Sequence, residues 1–157
     1  MQSHIRGGAP VGLLAELGPV EAYAVQCLRY WYSGPQERNR VSAELQDFLG
    51  ADLGQQAVEA LQQICELCAR HGRRPLMRHQ IACKCLGADE ACFANFIAAA
   101  AEGAREDAML LASLIVRPDF ASSLAGLAQQ LGIALRQIAT RSEPETVSPQ
   151  TTRHTLH

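Results

Sequence analysis

Seven residues able to hold a metal or do thiol chemistry crowd into one stretch: Cys65, Cys68, His71, His79, Cys83, Cys85 and Cys92. Of the six cysteines only Cys27 stands apart. Zinc takes four nitrogen or sulfur ligands in a tetrahedron. Cys65-x-x-Cys68 places two thiols on one helix face, and His79-x-x-x-Cys83 does the same at i and i+4. Cys83-x-Cys85 can share a metal if the chain turns there, and Gly87 eases such a turn. Cys92 falls early in a following helix, where the dipole favours a thiolate.

Two ligand sets follow. The local set is His79, Cys83, Cys85 and Cys92, one continuous Cys₃His loop. The bridging set is Cys65, Cys68, Cys83 and Cys85, close to a CxxC…CxxC pattern except that its second half is CxC. The local set is preferred, because short loops cost less entropy to close. Zinc suits either set, and an iron–sulfur cluster could use the same thiolates. The plainer alternative is no cofactor at all. Free cysteine packs as a small hydrophobe, and Cys65 and Cys68 both continue an apolar helix stripe.

Cys65-Glu66-Leu67-Cys68-Ala69-Arg70-His71 also admits a redox reading. It resembles the cysteine-pair-plus-histidine arrangement of the AhpD-like alkylhydroperoxidase family over seven residues, with the histidine one position off that family's spacing. The resemblance implies an all-helical fold in which Cys65 or Cys68 attacks as a thiolate while His71 moves a proton. The pair stands late in its helix, where the dipole disfavours a thiolate.

Partner contact is the third chemistry. Arg70, Arg73, Arg74, Arg78 and Lys84 cluster around the cysteines and could meet phosphate or an acidic partner protein. Residues 122–141 read as a helix-turn-helix candidate. Ala128 lets two helices approach, Gly132 makes the turn and Ile138 packs the second helix on the first. That helix would offer Arg136, Gln137 and Arg141 to DNA. A closing helical hairpin would produce the same pattern.

The elements that carry these residues are helical. The chain has 157 residues, enough for one ordinary domain, and its apolar share of 48% argues for a folded chain. Good helix formers dominate and no alternating strand pattern stands out. The expected fold is all-α, a compact bundle of about six short helices. Residues 1–18 are expected as a flexible N-terminal segment, 19–140 as one helical domain and 141–157 as a disordered tail. Helices are expected from Pro19 to about Ser33, Val41 to Gly50, Gly54 to His71, Pro75 to Ala82, Ala88 to about Glu102 and Ala104 to Val116. A last piece runs from Phe120 to Ala139. Asp89 and Glu90 read as surface carboxylates in a first helix turn.

A net charge of −2 gives the whole molecule no pull toward nucleic acid or acidic lipid, so such a partner needs a local patch. The longest apolar run, Ala108 to Val116, falls far short of the roughly 20 residues of a membrane span. The first residues, Met1 to Arg6, lack the apolar core of a signal peptide, so the cytoplasm is the expected compartment. No Walker loop, GxGxxG, GxSxG or HExxH occurs. An alanine-rich core with few aromatics leaves apolar helix surface that a homodimer could cover. The reading that combines these signs is a non-enzymatic regulatory or interaction module stabilised by a Cys/His metal site. Its rivals are a transcription regulator, a thiol-redox protein using Cys65 and Cys68, and an interaction protein with no metal.

Overall fold

The computed structural model describes residues 5–142. One helical turn, α1 (Ile5–Gly8), and a short strand, β1 (Pro10–Leu13), precede six helices. These are α2 (Pro19–Trp31), α3 (Pro35–Leu49), α4 (Ala51–His71), α5 (Ala88–Glu102), α6 (Arg105–Ile115) and α7 (Pro118–Ser142). A second strand, β2 (Cys85–Gly87), leads directly into α5. The all-α bundle expected from the periodicity is the fold.

Proline marks the first turns of α2 and α3, where its missing N–H costs no helical bond. Helix α3 therefore begins at Pro35, ahead of the Val41 start expected from the sequence, and Gln36 to Arg40 are its first turns. Helix α5 ends at Gly103, whose left-handed φ of 80° caps the last carbonyls.

Helices α5 and α7 form the centre. Helix α5 packs on α2, α6 and α7 and also meets α1 and β2, and it is apolar nearly all round, as a central helix must be. Phe93, Phe96 and Ile97 are fully buried among Leu61, Ile64, Leu124 and Leu131.

Residues 122–141 make no helical hairpin. They belong to the single continuous helix α7, with Ala128, Gly132 and Ile138 all facing the core. Gly132 does not turn the chain. A Cβ there would stand 2.8 Å from both Ala101 Cβ and the Ile97 carbonyl oxygen, so the glycine is what lets α5 and α7 cross closely.

The helix expected over Pro75–Ala82 is also absent. Residues 72–84 are an irregular strap from the end of α4 to β2. Its start is tied to the α6–α7 corner: Arg73 N donates to the Ile115 carbonyl at 3.0 Å and Arg117 N to that of His71 at 3.1 Å. Its end enters the antiparallel ladder of β1 with β2, where Leu13 pairs with Cys85 and Gly12 with Leu86. Residues 5–18, expected to be loosely held, supply α1 and the ladder's other strand. Three to four paired residues give no hydrophobic alternation long enough to read, so the sequence pattern missed the ladder.

Candidate functional site

The strap keeps its shape through side chains that replace the hydrogen bonds of a helix. Arg29, on α2, is 1% exposed. Its Nε donates to Glu90 Oε2 at 2.8 Å and its Nη2 to Glu90 Oε1 at 2.9 Å. Nη1 donates to the carbonyls of Gln80 at 3.0 Å and Cys83 at 2.7 Å, and Nη2 also donates to that of Cys85 at 2.7 Å. All five guanidinium N–H groups are thereby used. Glu90 in turn accepts from His79 N at 2.9 Å and Gly87 N at 3.0 Å. Burial is the largest single influence on the Glu90 carboxyl and pushes it up. The hydrogen bonds from Arg29, Gly87 and His79 outweigh burial and hold it below its usual value.

A second pair works beside the first. Arg74 grips Asp89 with two bonds, Nη1 to Oδ2 at 2.8 Å and Nη2 to Oδ1 at 2.6 Å, and Met77 N donates to Oδ2 at 2.7 Å. The two carboxylates of the first turn of α5 are thus buried anchors, correcting their reading as surface charge. A helical 75–82 segment would need the His79 amide for its own ladder, and that amide is taken by Glu90.

Within this frame the strap presents His79 and Cys83 together. Cys83 Sγ lies 3.7 Å from His79 Nδ1, and His79 Nε2 lies 3.0 Å from the Gly8 carbonyl oxygen. Both residues are half-buried. The other members of the expected metal sets do not join them. Among the described residues, no three His, Cys, Asp or Glu side chains gather as metal ligands. Cys85 and Cys92 are half-buried, and the Cys92 thiol is pushed up by burial and by Asp89, against the opposing pull of Arg74.

Cys65 and Cys68 are core residues, 4% and 7% exposed. Burial pushes the Cys68 thiol up to about 12 and raises that of Cys65 further, with Cys68 adding to it. His71 stacks on Phe120 with ring centroids 3.7 Å apart, and among the described residues it makes no hydrogen bond to either thiol. The resemblance to the alkylhydroperoxidase arrangement therefore stops at residue types. Nothing in the geometry prepares a thiolate there.

The basic run divides. Arg73, Arg74 and Arg78 line one pocket of about 410 Å³ with Tyr32, Cys68 and Leu76. Arg78 lies over the Tyr32 ring at 4.2 Å, and Arg73 Nε donates to the Ser113 carbonyl at 2.5 Å. No carboxylate lines this pocket. Arg70 faces an open groove between α4 and α7 instead, and Lys84 is exposed on the strap. Of the expected DNA contacts, Arg136 is exposed and Gln137 half-buried. Arg141 donates to the Phe48 carbonyl at 2.5 Å, joining the ends of α7 and α3.

No family model, curated protein or solved structure matches this chain.

Arg29 is the functional residue that sequence reading missed. A signal was present. Arg29 stands four residues after Val25 on the buried face of α2. Glu90 heads the stripe that continues through Phe93, Ala94 and Ile97. A charge in a core register calls for a partner of opposite sign.

Proposed function

We propose that this chain is a small helical interaction module that receives an anionic group of a partner protein in the pocket of Arg73, Arg74 and Arg78. The observation that carries the reading is the pocket's unbalanced charge. Three guanidinium groups line it, Asp89 neutralises Arg74 from behind, and Arg73 and Arg78 have no carboxylate partner among the described residues. Guanidinium clusters bind carboxylate and phosphate groups through paired N–H donors. The strap that carries all three is pinned at both ends and in the middle, so its donors are held in place before any partner arrives, which lowers the entropic cost of binding. A long irregular segment held this firmly in a small domain is more often functional than incidental.

No helix among the described residues is long and apolar enough to cross a membrane. The pinning that sequence reasoning assigned to a metal is supplied here by Arg29, so the module reading does not depend on zinc.

Fluorescence anisotropy with one peptide in three versions tests the proposal: phosphoserine, glutamate or serine at the central position. The anionic versions are expected to bind, the neutral one to bind weakly. Replacing Arg73 and Arg78 together by alanine should weaken binding by at least about tenfold. Equal binding of all three versions, or binding indifferent to the double replacement, would refute it. So would preferential binding of a DNA duplex that is lost with Arg136→Ala and Arg141→Ala.

A further inference from the structure

We propose that Cys83 is a nucleophilic thiol served by His79 as its base, forming a site of covalent modification by peroxide-class oxidants. This inference stands on the His79–Cys83 geometry and is independent of the arginine pocket.

The tautomer follows from the contacts. The Gly8 carbonyl oxygen can only accept, so His79 Nε2 must carry the proton that bridges their 3.0 Å separation. A neutral ring then has its lone pair on Nδ1, which faces Cys83 Sγ at 3.7 Å. Nucleophile, base and a group that orients the base thus follow one another through two contacts, the arrangement that activates weak nucleophiles in general.

The geometry is fixed from outside the pair. His79 is held through its amide by Glu90 Oε2 and Cys83 through its carbonyl by Arg29 Nη1. Both ends of the His79–Cys83 segment thus hang from the same buried ion pair. The ring also needs the bare face of Gly87. A Cβ there would come within 3.0 Å of His79 Cδ2.

Access also separates Cys83 from the Cys65–Cys68 pair. Cys65 and Cys68 are buried, whereas Cys83 is half-exposed beside the solvated Lys84. A small oxidant needs no binding cavity. In the reaction with hydrogen peroxide, the thiol proton passes to His79 Nδ1 as sulfur attacks one peroxide oxygen. The O–O bond breaks, and the leaving hydroxide takes the proton back from the imidazolium and departs as water. Sulfur is oxidised by two electrons to the sulfenic acid while the peroxide is reduced.

The test treats the full chain with a slight excess of hydrogen peroxide, traps sulfenic acid with dimedone and assigns it by mass spectrometry. Cys85, two residues away and equally half-buried, is the internal control. Cys83 should be labelled about tenfold faster than Cys85. His79→Gln should bring Cys83 down to the Cys85 rate with the circular dichroism spectrum unchanged. If that variant fails to fold, the Cys83 to Cys85 ratio in the unaltered chain decides alone. Equal rates at the two cysteines would overturn the proposal, as would a Cys83 rate that His79→Gln leaves intact. Stoichiometric zinc binding lost in Cys83→Ser, with no sulfenic acid formed, would overturn it in favour of a metal ligand pair.

Discussion

Arg29 and Glu90 lie 61 positions apart in the chain and meet in a two-point ion pair with neither side chain reaching solvent. Around them carbonyls of the strap and β2 on one side, and the amides of His79 and Gly87 on the other, complete every hydrogen bond the two groups can make. A buried ion pair gains little over apolar residues of the same shape, but breaking one strands a charge. Its service here is specification. It decides that residues 72–84 run as a pinned strap.

Arg29→Met should therefore destabilise the protein by about 3–5 kcal/mol, because Glu90 is left buried without its cation. Urea denaturation followed by Trp31 fluorescence measures this. Trypsin supplies the local readout, since Arg78 and Lys84 lie on the strap: the variant should be cut there under conditions that spare the original chain. A loss below about 1 kcal/mol with no new cleavage would mean that the pair does not hold the strap.

Acid should weaken the same clamp. The Glu90 carboxyl titrates lower in the folded chain than in the unfolded one. Its contribution is then fully present above the unfolded value and is lost as pH falls through the folded value. Unfolding midpoints should hold down to about pH 5 and fall below it. Glu90→Gln should be less stable at neutral pH and show a shallower acid decline. An acid decline of the same steepness in the variant would assign the effect to other carboxylates.

Two glycines of α7 should respond in opposite directions to alanine. At Gly132 a Cβ would press on Ala101 and the Ile97 carbonyl, so Gly132→Ala should cost about 1–3 kcal/mol. At Gly126 nothing lies within 4 Å, so Gly126→Ala should stabilise the helix by about 0.5–1 kcal/mol. Thermal melts of both variants check this. A turn at Gly132 would make the first loss vanish.

Thiol titration of the native chain should count three reactive cysteines, Cys83, Cys85 and Cys92. Cys27, Cys65 and Cys68 should react only after denaturant is added. Burial puts the thiols of Cys27, with a contribution from Glu44, and of Cys68 at about 12 and raises that of Cys65 as well. Fast native modification at Cys65 or Cys68 would reopen the redox reading of that pair.

The helices were legible because their evidence is local. Ala57, Leu61, Ile64, Cys65 and Cys68 recur at the helical period, and Pro19, Gly72 and Gly103 punctuate the chain where α2, α4 and α5 begin or end. The core placement of Cys65 and Cys68 was legible for the same reason. The strap was not. Pro75 to Ala82 has acceptable helix composition, and what overrides it is contact with Arg29 and Asp89–Glu90 from two other helices. Gly132 shows the same limit. A glycine inside an apolar run is compatible with a turn or with a close crossing, and only the approach of α5 separates the two. The seven Cys and His side chains share one stretch of sequence but sort into different environments: two thiols in the core, one histidine stacked on Phe120, one histidine–thiol pair on the strap, and Cys85 and Cys92 half-buried apart from that pair. Periodicity assigns a residue to a face. Which side chains share that face depends on how the helices cross, and here on a charge pair whose halves lie 61 residues apart.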